Sequence, residues 1–96
     1  MIRYITAELE ITLFETTWNK HVDRFLEEFR EMYSIQETED VDYSNNTCSF
    51  ICSTNFVDDV ESSGSTVAFC LMEDMLDSGF PVLDIVSLND EIEDIY

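Results

Sequence analysis

Residues 4–14 read YITAELEITLF. Apolar side chains fall at Ile5, Ala7, Leu9, Ile11 and Leu13, while Tyr4, Thr6, Glu8, Glu10 and Thr12 take the places between them. A period of two sends successive side chains to opposite faces of an extended chain, so this stretch is a strand with one face in a core and the other in water. Glu8 and Glu10 make the outward face acidic.

Downstream the period changes. In ETTWNKHVDRFLEEFREMYSIQ, residues 15–36, the apolar positions Trp18, Val22, Phe25, Leu26, Phe29, Met32 and Tyr33 recur at helical spacing, with Thr16 or Thr17 available as N-cap. That pattern predicts an amphipathic helix. Asp23, Glu27 and Glu31 form a ridge at intervals of four along it, where like charges repel slightly.

Period two returns over QETEDVDYSNNTCSFICST, residues 36–54, with Cys48, Phe50 and Cys52 alternating against Ser49, Ile51 and Ser53. The SNNT at 44–47 is turn chemistry, because Asn tolerates the left-handed conformation, and a hairpin is expected. NFVDDVESSGS, residues 55–65, reads as a short helix or an irregular link. STVAFCLMEDMLDSG, residues 65–79, predicts a second helix with Ala68, Leu71, Met72, Met75 and Leu76 as its apolar stripe. Ser65 can cap its start, and Gly79, Phe80 and Pro81 can end it. The run 66–72 taken alone suits a strand as well. FPVLDIVSL, residues 80–88, is a further strand, and NDEIEDIY after it predicts a helical turn capped by Asn89.

This order is that of a ferredoxin-like βαββαβ α/β sandwich of the α+β class: an antiparallel sheet with two helices on one face. Glu8, Glu10, Asp40, Asp42 and Asp84 are then expected on the uncovered face. Residues 1–96 read as a single acidic domain, of which 88–96 is an acidic C-terminal segment.

Charge narrows the function classes. The chain carries 22 Asp and Glu against 4 Lys and Arg, a formal net charge of −18, and no base follows Arg30. Such acidity often accompanies disorder. Here 45% hydrophobic and 12% aromatic residues, with two Gly and one Pro, supply enough apolar surface to offset ordering entropy. Self-repulsion destabilises compact states, so a folded chain that tolerates it suggests a selected charge. A surface of this sign repels nucleic acid and anionic lipid and attracts basic proteins. Direct nucleic-acid or membrane binding is therefore not expected. No run approaches ~18 apolar residues, and Glu8 and Glu10 interrupt any signal-peptide core. The expected location is the cytoplasm, that of the host cell if the protein is viral.

Catalytic and metal readings find few players. His21 is the single histidine and lies within the first predicted helix, so a nucleophile–histidine system has no second candidate. Cys48 and Cys52, four apart on one strand face, look like core rather than a zinc knuckle. Asp40, Asp42 and Ser44 imitate the opening of a calcium loop, but Asn45 stands where Gly belongs and Ile51 where a bidentate Glu is required. Two isolated glycines make no phosphate loop. No catalytic residue, metal or cofactor is expected, and the chain does not read as an enzyme.

Two bland readings of the charge compete with a functional one. A solvated face explains any single acidic run, but ordinary small domains intersperse both signs, with net charge of magnitude ~2–8. Adaptation to molar salt would remove the repulsion, since the Debye length falls to ~3 Å at 1 M. Seven Phe, eight Ile and three Cys fit that less well. The functional reading is a nucleic-acid mimic that occludes the basic groove of a nucleic-acid-binding protein or complex. In size, sign and compactness the chain resembles, at the level of class, the small acidic inhibitors of restriction and CRISPR systems made by viruses and mobile elements. Its expected contact residues are Glu8, Glu10, Asp40 and Asp42 on the sheet, Asp23, Glu27 and Glu31 on the helix, Asp58, Asp59 and Glu61 in the link, and Asp90, Glu91, Glu93 and Asp94 in the C-terminal segment. The alternative is an immunity-type or antitoxin-like partner that neutralises a basic protein through a local patch and an aromatic anchor. Homodimerisation is left open.

Overall fold

The computed structural model describes residues 1–14, 24, 27–36, 40–42 (backbone only), 46–80 and 82–96. The expected positions Thr16, Thr17, Trp18, His21, Val22, Asp23, Phe25, Leu26, Tyr43 and Pro81 lie outside them. The alternating stretch of the opening is the strand β1, Ile2–Leu13. It is central: β3, Thr47–Val57, pairs antiparallel along one side and β4, Val82–Ile95, along the other. A three-residue strand β2, Asp40–Asp42, adds to the outer edge of β3, so the sheet order is β2-β3-β1-β4. Together with the helix Gly64–Asp77 and a helical segment that includes residues 27–29, this makes a mixed α+β fold.

The first strand of the expected hairpin, read from the alternation of Val41 and Tyr43 with Asp40 and Asp42, is the short β2. Its place on β3 is shared. The backbone of the chain leaving the first helical segment already bonds the same edge, with Ser53 N–H donating to Tyr33 O and Gln36 N–H to Ile51 O. That leaves Thr47–Ser49 for β2. The turn before β3 does use the left-handed conformation at Asn46, φ 57°.

The core lies between the sheet and the helices. Ile5, Ala7, Leu9, Ile11 and Leu13 are buried along β1, beside Cys48, Phe50 and Cys52 of β3 and Val82 and Ile85 of β4. Val67, Ala68, Leu71 and Met75 of the Gly64–Asp77 helix close over them, a stripe of the width helical spacing allows. Phe29 and Tyr33 join the same core: Phe29 meets Phe80 edge-on at 5.5 Å between ring centroids, and the Tyr33 hydroxyl donates to the Asp74 carboxylate. Residues 66–72 are therefore helix, and no strand forms there. Leu76, expected in the stripe, is half exposed. Met32 is exposed too, on a backbone that has left the helix at residues 30–34 and turns at Ser34, φ 48°.

Both ends of this helix are closed by specific bonds. Ser63, rather than Ser65, is the N-cap residue, and its N–H donates to Thr66 Oγ1 at 3.0 Å. At the other end Gly79 takes φ 81°, Phe80 N–H reaches Met75 O, and Gly79 N–H reaches Leu76 O. This is the glycine-ended arrangement that satisfies the last carbonyls, and buried Phe80 supplies its apolar contact.

The largest departure from expectation is residues 89–96. No helical turn forms at Asn89; β4 runs straight on to Ile95. Its ladder with β1 is interrupted twice, between Thr12 and Leu13 and between Glu8 and Leu9. Each interruption leaves one extra residue on β4, Leu83 and Leu88, and each extra leucine is exposed. A bulge of one residue shifts the alternation of everything beyond it. Inward places are Ile85 and Ser87 before Leu88, and Asp90, Ile92 and Asp94 after it.

Candidate functional site

The face of the sheet away from the helices is made by the outward places of the three long strands. On β1 these are Ile2, Tyr4, Thr6, Glu8, Glu10 and Thr12, and on β3 Thr47, Ser49, Ile51, Ser53, Asn55 and Val57. On β4 they are Asp84, Val86, Asn89, Glu91, Glu93 and Ile95. Among these described residues there are five carboxylates (Glu8, Glu10, Asp84, Glu91 and Glu93) and no base. Asp40 and Asp42 stand opposite Ser49 and Thr47, the places that alternate with buried Cys48.

The described bases are occupied elsewhere or lie off this face. Arg3 shares the parity of Ile5 and so belongs to the helix side of β1. There its Nε and Nη2 donate to the two oxygens of Asp94 at 2.7 and 2.8 Å, and Nη1 donates to Val60 O and Ser62 O at 2.9 and 3.0 Å. These bonds, and then the charge behind them, hold the Asp94 carboxyl below its ordinary value, against the opposing effect of burial. Arg24 lies over the Phe80 ring, 4.7 Å from its centroid, and donates to Ser78 O and Glu28.

The expected contact residues consequently divide. Glu8, Glu10, Glu91 and Glu93 come together on the open face. Asp90 and Asp94 do not: they point to the helix side and hold structure. Asp90 Oδ2 accepts the Gly64 N–H at 2.7 Å, placing a negative charge at a helix N-terminus whose own first turn carries no acid. Gly64 is required for that approach, because a Cβ there would sit 2.9 Å from the Asp90 Cβ. Asp59 is likewise turned inward on its own loop, accepting the N–H groups of Glu61 and Ser62 at 3.0 Å. Asp58 accepts the Met1 amino group at 3.1 Å, and Glu61 is exposed beside it. Glu27 is exposed in the first helical segment and Glu31 in the turn that follows it, neither of them on a strand of the sheet, and Asp23 lies outside the described residues.

Two features of this face were not read from the sequence. A shallow depression lies where β4 bulges, lined by Thr6, Glu8, Ile51, Asn89, Asp90 and Glu91. An apolar fringe at one end unites Ile2, Tyr4, Val57 and Ile95, all substantially exposed. The outward parity of Ile2 and Tyr4 was visible in β1; their meeting with Val57 and Ile95 depends on register.

Two of the described cysteines are held as thiols. Burial pushes the Cys52 thiol up to about 12, and burial, then Asp74 and Glu73, raise that of Cys70. Both effects disfavour the thiolate that a nucleophile or metal ligand needs. No group of three or more His, Cys, Asp or Glu among the described residues is arranged to hold a metal ion. No helix among them is long and apolar enough to cross a membrane. No family model, curated protein or solved structure matches the chain.

Proposed function

We propose that this protein is a non-catalytic acidic inhibitor that mimics nucleic acid and occludes the basic groove of a nucleic-acid-binding protein, a restriction or CRISPR effector being the class of target its size and sign suit. The observation that carries the reading is the open sheet face, with five carboxylates and no base among its described residues. The magnitude is adequate. A net charge of −18 along a longest extent of 45 Å is one charge per about 2.5 Å, against ~1.7 Å of axis for duplex DNA. Carboxylates mounted on paired strands lose little freedom on binding, so charge is presented at low ordering cost, and association is steered and fast. The scaffold is read as ferredoxin-like. Support comes from the order β2-β3-β1-β4 with antiparallel neighbours, and from Phe29, Tyr33 and the Gly64–Asp77 helix sharing one face.

The immunity-type reading keeps one specific support, the apolar fringe of Ile2, Tyr4, Val57 and Ile95 beside Glu93. An anchor of that kind would concentrate affinity in few residues. One experiment separates the two. Tagged protein is used to capture partners from bacterial lysates that express restriction or CRISPR effectors, after nuclease treatment, at ~0.15 M salt and near 1 M, where exposed charges are screened. Mimicry requires a nucleic-acid-binding partner that added DNA or RNA displaces and that Glu8→Gln, Glu10→Gln, Glu91→Gln and Glu93→Gln weaken step by step. A partner indifferent to nucleic acid but lost on Tyr4→Ala would establish the immunity-type reading instead. A partner bound equally at both salts by the fourfold Gln variant would end the charge-based reading.

A further inference from the structure

β4 is a sheet edge of unusual length and composition. Among the described residues it pairs only with β1, and beyond the Leu88 bulge it runs regularly from Asn89 to Ile95. An edge strand turns alternate backbone N–H and C=O groups outward, ready for another chain. Folded proteins blunt such edges with charges, most often Lys, with Pro and with bulges; here the charges are all acidic, Asp90, Glu91, Glu93 and Asp94, so the edge is guarded against its own kind and not against a basic strand. We propose that the Asn89–Ile95 edge of β4 is a docking strand for an extended basic segment of a partner protein, which adds to the sheet antiparallel to β4.

The occupant follows from what each place presents. On the open face, Glu91 and Glu93 call for Lys or Arg directly opposite, where unlike charges on neighbouring strands attract. On the helix side, Ile92 is 44% exposed and calls for an apolar residue between those two bases. Asp90 and Asp94 are already engaged by Gly64 and Arg3, so small residues fit opposite them. The partner strand therefore carries base, apolar, base at its centre. A second copy of this chain is the wrong occupant. Two β4 strands related by a two-fold axis through Ile92 would set Glu91 against Glu93 on one face and Asp90 against Asp94 on the other. Like charges directly opposite are destabilising. The carboxylates thus protect the edge from self-pairing and leave it open to the opposite sign.

The mode of contact stands on the sheet edge, not on which basic protein is met, so it can fail while nucleic-acid mimicry survives. The test uses the whole protein and a short fluorescent peptide centred on Lys-Val-Lys with Ser on either side, at ~0.15 M salt. Its control is the same peptide N-methylated at alternate residues, which keeps the charge and loses the backbone donors. The expected result is binding of the first peptide at least about tenfold tighter than the second. Slowed hydrogen exchange confined to the amides of residues 89–95 and their β1 partners should accompany it. Glu91→Lys with Glu93→Lys should abolish binding, while Glu73→Lys with Asp77→Lys, an equal charge change on the exposed side of the helix, should leave it within about twofold. Equal affinity for both peptides, no binding of either, or a chain that self-associates through β4 would each overturn the proposal.

Discussion

Asp90 and Asp94 belong to the same short stretch as Glu91 and Glu93, with the same charge and nearly the same chemistry, yet the two pairs do opposite things. Asp90 holds a helix N-terminus and Asp94 a buried-side arginine. Glu91 and Glu93 stand in solvent on the open face. The difference lies in parity along a strand. An acidic segment is thus not uniformly a surface: half its carboxylates can be spent on the fold that presents the other half.

The comparison can be broken most severely from the covered side of β1. Leu9→Ala removes a fully buried side chain opposite Phe50 and Ser87. It should cost ~2–5 kcal/mol in urea unfolding, while Glu8→Gln one residue away should change stability by no more than ~0.5 kcal/mol. Gly64→Ala comes next. Its Cβ meets the Cβ of Asp90, which cannot move without shifting β4, so ~1–3 kcal/mol of strain is expected in the same assay.

Smaller effects sharpen the division within 90–94. Asp90→Asn weakens the bond to Gly64 N–H and should lower stability by ~0.5–2 kcal/mol, whereas Glu91→Gln should leave it unchanged or raise it slightly by easing repulsion. Loss on both, or on neither, would undo the parity argument. Asp94 makes a pH-dependent prediction. Its carboxyl is held low by Arg3, so its contribution to stability is present above the unfolded value of ~3.9 and lost as pH falls through the folded one. Wild type should therefore exceed Asp94→Asn in midpoint urea concentration at pH 7, and the gap should narrow as the pH falls below the unfolded value.

How far the fold was legible depends on how local the deciding physics is. β1 could be read residue by residue, because strict alternation over ten positions admits one assignment of faces. The end of the Gly64–Asp77 helix was legible too, since a left-handed turn before a buried aromatic favours Gly79. The candidate face was half legible. Glu8 and Glu10 were placed correctly from their own strand, and Asp84 from the β-branched run around it. The acids of 88–96 were grouped as one surface, because Asn89 followed by Asp and Glu is also the opening of a helix.

The amino-acid sequence by itself determined that the chain is acidic, that it has apolar residues enough to fold, and that β1 has a wet face bearing Glu8 and Glu10. These follow from composition and from a periodicity contained within one segment. The tertiary structure alone decided that the C-terminal stretch pairs with β1, and that Leu88 stands out of the ladder. That single extra residue moves the inward places of β4 from odd to even numbers. The partner strand, not the stretch itself, fixes where the bulge falls, and so determines which carboxylates bind the protein to itself and which stand on the open face.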